Sequence, residues 1–182
     1  MYKLCKTEQS ALRQRELENG LLEAMLVKRY EDISVSDLCD QLQVPRKSFY
    51  RYFSSKDGAF HALLDHTMQE CMATLEGAQS SREAFEQYFS FWVEQKPLLD
   101  ALQRSSLSGY LVERTHHLVI HNQYSTPFQQ HSSKFDHAYA TLFLVSGIIS
   151  IMIQWHHKGC KETPAEMALL VTDLLTTPLF LF

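Results

Sequence analysis

Between Gln43 and Lys56 the chain carries Arg46, Lys47, Arg51 and Lys56 and no acid, interleaved with Phe49, Tyr50, Tyr52 and Phe53. Guanidinium and ammonium groups can donate to guanine edges or to phosphate oxygens. A serine hydroxyl such as that of Ser48 serves several base edges, and tyrosine hydroxyls grip phosphates. The chemistry offered is recognition of an anionic, hydrogen-bonding polymer. A basic run is also what an ordinary solvated helix face looks like, so the elements that position it decide between the two readings.

Those elements read as helices. Ser10 to Arg29 repeats Leu17, Leu21, Leu22, Met25 and Leu26 at helical spacing, one buried stripe. Ser34 is an N-cap for a short second helix with Val35, Leu38 and Leu42 inward and Asp37 in the first turn, where the helix dipole favours an acid. Gln43-Val44 is a tight connection, and Pro45 suits the start of a third helix because its missing N–H costs nothing there. Phe49 and Phe53, four apart, face inward with Val44 and leave Arg46, Lys47, Ser48, Tyr50 and Arg51 outward. Ser54-Ser55 ends the run, and a fourth helix begins near Lys56 with Phe60, Leu63 and Leu64 inward. Two short helices joined by a tight turn and braced by a longer one describe a helix-turn-helix, whose second helix enters the major groove by its N-terminal end.

The string Ser48-Phe-Tyr-Arg-Tyr-Phe-Ser-Ser-Lys-Asp57, with the preceding Ser34 to Lys47, resembles the DNA-binding domain of the TetR family of transcriptional regulators over about residues 10–65. The resemblance implies that Arg46, Lys47 and Ser48 lie nearest the bases. It implies that Tyr50, Tyr52 and Lys56 hold the phosphate backbone and that Ser34 and Ser36 touch DNA from the second helix. The chain departs from the family pattern at two turns, with Arg29 and Gln43 where the family has Gly. A left-handed conformation at a non-Gly residue costs about 1 kcal/mol, so each turn is either altered or strained.

The rest of the composition narrows the classes. The 182 residues include 45% hydrophobic and 21% charged residues, the balance of a folded chain, and only 6 Gly and 5 Pro, which favours helices over a loop-rich β architecture. Residues 1–56 hold ten Lys/Arg against eight Asp/Glu, and residues 57–182 seven against thirteen, so an anionic chain of net charge −4 has a cationic amino end. Binding to a nucleic acid then rests on a local patch. Cys5, Cys39, Cys71 and Cys160 are too far apart for a CxxC clip, and reduced cytoplasmic thiols are expected. Residues 1–8 lack the apolar stretch of a secretory signal. His137 to His157 has no acid, Lys or Arg and nearly bilayer length. Its polar dilution and lack of basic anchors favour a buried helix over a membrane span. No GxSxG, P-loop or GxGxxG occurs, so an enzyme is not expected.

Beyond residue 70 the chain reads as further helices: Arg82 to Gln95 behind Ser81, Leu98 to Gln103, Tyr110 to Tyr124, Phe135 to His157, and a last one from Thr163-Pro164 with Met167, Leu170, Val171, Leu174 and Leu175 inward, ended by Pro178. Phe85, Tyr88, Phe89 and Trp92 are either core or one wall of an apolar cavity. His117 and His121 share a helix face at metal-ligand spacing. They lack the three or four converging groups of a zinc site, so neither metal nor cofactor is assigned. The family resemblance implies an effector cavity, for which Phe85, Phe89, Trp92, His117, His121 and Phe143 are the candidates. It also implies dimerising last helices, with Ser146, Ile149, Ile153, Leu170 and Leu174 as candidate interface.

The expectation is an all-α chain. Residues 1–55 form a three-helix helix-turn-helix domain, and residues 56–182 form a larger helical domain for effector binding and dimerisation. It acts as a cytoplasmic homodimer on a palindromic double-stranded DNA operator, modulated by a small apolar effector. The rival reading replaces the effector by a docked partner protein. Residues Trp155 to Pro164 weakly resemble the branch of the family that regulates dihydroxyacetone kinase genes.

Overall fold

Local capping sets most helix starts. Thr7 accepts from the Ser10 amide and opens α1 (Glu8–Val27). Ser34 and Asp37 form a reciprocal capping box at α2 (Val35–Gln41), each side chain accepting from the other's amide. α3 (Arg46–Tyr52) follows Pro45, and α4 (Lys56–Thr74) begins four residues later. Ser80, one residue before the expected cap, accepts from the Glu83 amide at the head of α5 (Ser81–Glu94). α6 (Lys96–Arg104), α7 (Gly109–His121), α8 (His137–His157) and α9 (Pro164–Thr176) complete the order. The structure, a computed structural model, describes residues 2–121 and 137–176. Among these there are nine α-helices, one 3-10 turn at Tyr30–Asp32 and no strand beyond an isolated bridge. Tyr124 and Pro178 lie outside the described residues.

The chain divides into two compact units, Met1–Thr67 with Pro97–Gly109, and Met68–Lys96 with Tyr110–Phe182. The first unit therefore contains α1 to α3, most of α4 and nearly all of α6.

Its core is Leu17, Leu21 and Met25 of α1, Leu38 of α2, Phe49 and Phe53 around α3, and Phe60, Leu63 and Leu64 of α4, all at most 3% exposed. Phe49 and Phe53 sit 5.1 Å apart between ring centres, as their spacing requires. The α1 stripe is shifted from expectation. Leu22 and Leu26 are only half-buried, while the polar Gln14 and Glu18 are buried. Burying a carboxylate requires partners. Glu18 has Arg15 at 3.1 Å and His66 at 2.9 Å. Gly20 lets α1 and the end of α2 meet, because a Cβ there would fall 2.6 Å from Leu42 Cδ1.

The two Gly-deficient turns behave differently. Gln43 adopts φ 52°, the left-handed conformation, so the strain is kept. Arg29 has φ −69° and leads into the 3-10 turn, so that connection is rebuilt and needs no glycine.

In the second unit α5 packs along α9, and Phe89 meets Trp155 of α8 edge-on at 5.4 Å between ring centres. Buried Trp92, Leu118, Val119, Met152, Met167 and Val171 fill the centre. Leu170, Leu174 and Leu175, expected inward on α9, are instead 46%, 37% and 40% exposed, because only Met167, Ala168 and Val171 face inward.

α8 is long and apolar enough to cross a membrane by length and composition, with mean hydropathy 1.4 over Tyr139–His157. One side of it is nevertheless committed to protein. Ile149, Met152, Trp155 and His156 are buried, and Trp155 Nε1 donates to the Glu162 carbonyl at 3.1 Å.

Candidate nucleic-acid interface and helical cavity

Burial of Phe49 and Phe53 rotates α3 so that Arg46, Lys47, Tyr50 and Arg51 are exposed and Ser48 is half-exposed. Ser34 and Ser36 at the head of α2 are exposed and half-exposed. Arg46 is aimed by its neighbour one turn on. Its Nη2 donates to the Tyr50 hydroxyl at 3.5 Å, and its guanidinium lies 5.9 Å from that ring centre. The capping box holds the Asp37 carboxyl below its ordinary range through hydrogen bonds from Ser34, keeping it ionised at the helix head.

Two residues expected on the phosphate backbone are used elsewhere. Tyr52 is 8% exposed, the side of α3 it occupies being covered by protein. Lys56 turns inward, its Nζ donating to the carbonyls of Tyr30 and Ile33 at 2.5 Å each and lying 4.2 Å from the Tyr30 ring centre. Burial lowers its pKa, and the nearby acids Asp57, Glu31 and Asp32 oppose that shift. The Tyr30 hydroxyl donates to Asp57 at 2.5 Å, and the Tyr30 amide donates to Ser105 Oγ at 2.9 Å. The brace built on Tyr30 and Ile33 was missed in the sequence, since nothing in the residue spacing links 30 and 56.

In the second unit a cavity of about 680 Å³ opens among α4, α5, α7 and α8. Met68, Met72, Leu75, Phe85, Leu144 and Ile148 make most of its apolar wall, with Thr115 and Thr141 inside and Glu76 and Gln79 also on the lining. Of the aromatic residues expected as a possible wall, Phe85 and Tyr88 line it. Phe89 and Trp92 are buried in the core instead. His117 is exposed on α7, and Phe143 is 71% exposed on α8. The side chain of His121 is outside the described residues. The methionines and the α8 aliphatics were the overlooked signal, an apolar face wider than one helix contact requires.

The expected dimer residues also separate. Ile149 is 2% exposed and lines the cavity within its own chain. Ser146 Oγ lies 3.0 Å from His116 Nε2, a hydrogen bond between α8 and α7, and Ile153 is half-buried. Leu170 and Leu174 stay on the outer face of α9, and Tyr139 and Phe143 are exposed on α8. Among the described residues no group of three or more His, Cys, Asp or Glu is placed to hold a metal ion.

A family profile described as "Transcriptional regulator C-terminal region" matches residues 79–177, and one described as "Bacterial regulatory proteins, tetR family" matches residues 23–63. The chain belongs to the TetR family. As a TetR-family protein it is a DNA-binding transcriptional regulator, and the matched C-terminal region includes all of α8. Curated protein sequences gave no match.

Solved structures share the fold of this TetR-family chain. The fatty acid degradation regulator FadR of Bacillus halodurans is 14% identical with a TM-score of 0.59, covering 97% of this chain and 98% of that one. FadR of Bacillus subtilis, solved in complex with stearoyl-CoA, is 15% identical at 0.59, covering 91% and 99%. The dihydroxyacetone kinase operon activator DhaS is 13% identical at 0.59, covering 91% and 94%.

Proposed function

We propose that this regulator binds a palindromic operator as a homodimer and is modulated by a small apolar molecule held in the second unit. Arg46, Lys47 and Ser48 read base edges from the first turn of α3, while Tyr50, Arg51, Ser34 and Ser36 contact the backbone beside them. Tyr52 and Lys56 act on DNA indirectly, Tyr52 by packing α3 and Lys56 by fixing the segment before α2. The observation that carries this reading is the rotation of α3, which turns Phe49 and Tyr52 inward and Arg46, Lys47 and Arg51 outward.

The second copy covers the outer faces of α8 and α9, where Tyr139, Phe143, Leu170 and Leu174 lie exposed. Exposed apolar side chains of this kind suit an interaction surface in a chain that works in the cytoplasm. The cavity favours a small molecule over a docked protein, because 680 Å³ with a mostly apolar lining is the size and character of a ligand site. The effector acts by binding one spacing of the two heads better than the other, so the shift is limited by that difference in affinity.

Gel-shift assays against a DNA pool and sedimentation analysis test the reading together. The expected result is a dimer whose base preference changes with Arg46→Ala or Lys47→Ala. A monomer at micromolar concentration, or preferences unaffected by either substitution, contradicts it.

A further inference from the structure

Residues 2–6 form a non-helical arm that docks beside the recognition helix. Tyr2 pairs with Phe53 in an isolated antiparallel bridge, and the Lys3 amide donates to the Tyr52 carbonyl at 3.0 Å. The arm is pinned on its inner side. The Tyr2 hydroxyl donates to Asp65 at 2.8 Å, its ring meets His66 edge-on at 5.7 Å, and the Cys5 thiol donates to Gln14 Oε1 at 2.8 Å. Tyr2 and Cys5 are half-buried against the fold, while Lys3, Leu4 and Lys6 are exposed.

We propose that this arm is a second DNA-contacting element, in which Lys3 and Lys6 bind phosphates flanking the bases read by α3. The inference rests on the placement of α3 in the major groove. Seven helical residues span about 10 Å, against a groove about 12 Å wide. With the N-terminal end of α3 in the groove, its C-terminal end lies at the rim where the phosphate backbone passes. That is the end to which Lys3 is bonded. No acid occurs in residues 1–7, so the arm extends the cationic patch of residues 43–56 without an internal counter-charge. The arm carries no base-reading geometry, and its contribution is independent of sequence.

The test is the salt dependence of binding to a random-sequence 30-base-pair duplex, measured by fluorescence anisotropy. Each phosphate contact contributes about 0.9 to the slope of log K against log salt. Lys3→Ala/Lys6→Ala is expected to flatten that slope by about 1.8, which makes the loss of affinity between 50 and 200 mM salt about twelvefold smaller. The melting temperature is expected to stay unchanged. Lys158→Ala/Lys161→Ala, the same charge change in the second unit, is expected to leave the slope as it was. A slope unmoved in the arm variant, while Lys47→Ala lowers it, overturns the arm's role and leaves α3 intact. An equal fall in the control pair also overturns it. A chain that binds no duplex in any form overturns the α3 reading beneath it.

Discussion

Lys56 Nζ lies 4.2 Å from the centre of the Tyr30 ring and donates to the Tyr30 and Ile33 carbonyls. A lysine has three N–H donors, so two are committed inside the fold. The cation thereby ties the first turn of α4 to the segment that precedes α2 and fixes where the Ser34 cap stands.

Lys56→Ala is therefore expected to act first on stability. Hydrogen bonds to a charged donor contribute about 1.5–3 kcal/mol, and partial exposure places the expected loss near the lower end. Thermal unfolding followed by circular dichroism measures it. Lys47→Ala, on an exposed side chain, is expected to leave the midpoint unchanged while weakening DNA binding. Equal midpoints for both variants would refute the brace.

The capping box gives a pH signature. Hydrogen bonds from Ser34 hold the Asp37 carboxyl below its unfolded value. A group with a lowered folded pKa contributes stability that is complete above the unfolded pKa and lost as pH falls through the folded one. The melting difference between the unaltered chain and Asp37→Asn is expected to stay constant from pH 7 to pH 5, then shrink on acidification below the ordinary carboxylate range. Ser34→Ala removes the other half of the box and is expected to cost about 1 kcal/mol. A difference that grows towards low pH would contradict the assignment.

Gln43 and Arg29 make opposite expectations from the same kind of departure. At φ 52°, Gln43→Gly relieves a left-handed strain of about 1–2 kcal/mol against an unfolded-state entropy cost of about 0.4–1 kcal/mol. The net change is neutral to stabilising by about 1 kcal/mol. At φ −69°, Arg29→Gly relieves no strain, carries the entropy cost and gives up an exposed ion pair with Glu31. Denaturant titration of the two variants separates them. A loss in Gln43→Gly as large as in Arg29→Gly would show that the turn is unstrained.

Gly20 is expected to resist substitution although alanine is the better helix former. Its Cβ would fall 2.6–2.9 Å from three atoms of Leu42. Overpacking costs about 1–3 kcal/mol, more than the propensity gain of about 1 kcal/mol. A double-mutant cycle with Leu42→Ala reads the coupling, which is absent if the helices simply move apart.

The helix-turn-helix was legible in the sequence because its signals are local. A cap at Ser34, a proline at 45 and the four-residue step from Phe49 to Phe53 each constrain a neighbour within one turn. The left-handed choice at Gln43 and the rebuilt turn at Arg29 were posed by the sequence but resolved only by the backbone. What escaped was long-range. Lys56 closes on residues 23 and 26 positions away, and Tyr2 reaches Asp65 across 63. In the second unit, periodicity could not say which of two apolar faces on α8 and α9 turns inward. Ile149 accordingly lies inside, where it lines the cavity, and Leu170 and Leu174 lie outside.

The most direct test of DNA reading by α3 is selection of bound duplexes from a random pool by the unaltered chain and by Lys47→Ala. Enrichment of an inverted repeat is expected, with half-site centres about 10 base pairs or a multiple apart. The Lys47→Ala pool should differ at a symmetric pair of positions. A pool with no enriched repeat, or the same repeat unchanged in Lys47→Ala, would contradict base reading by the first turn of α3.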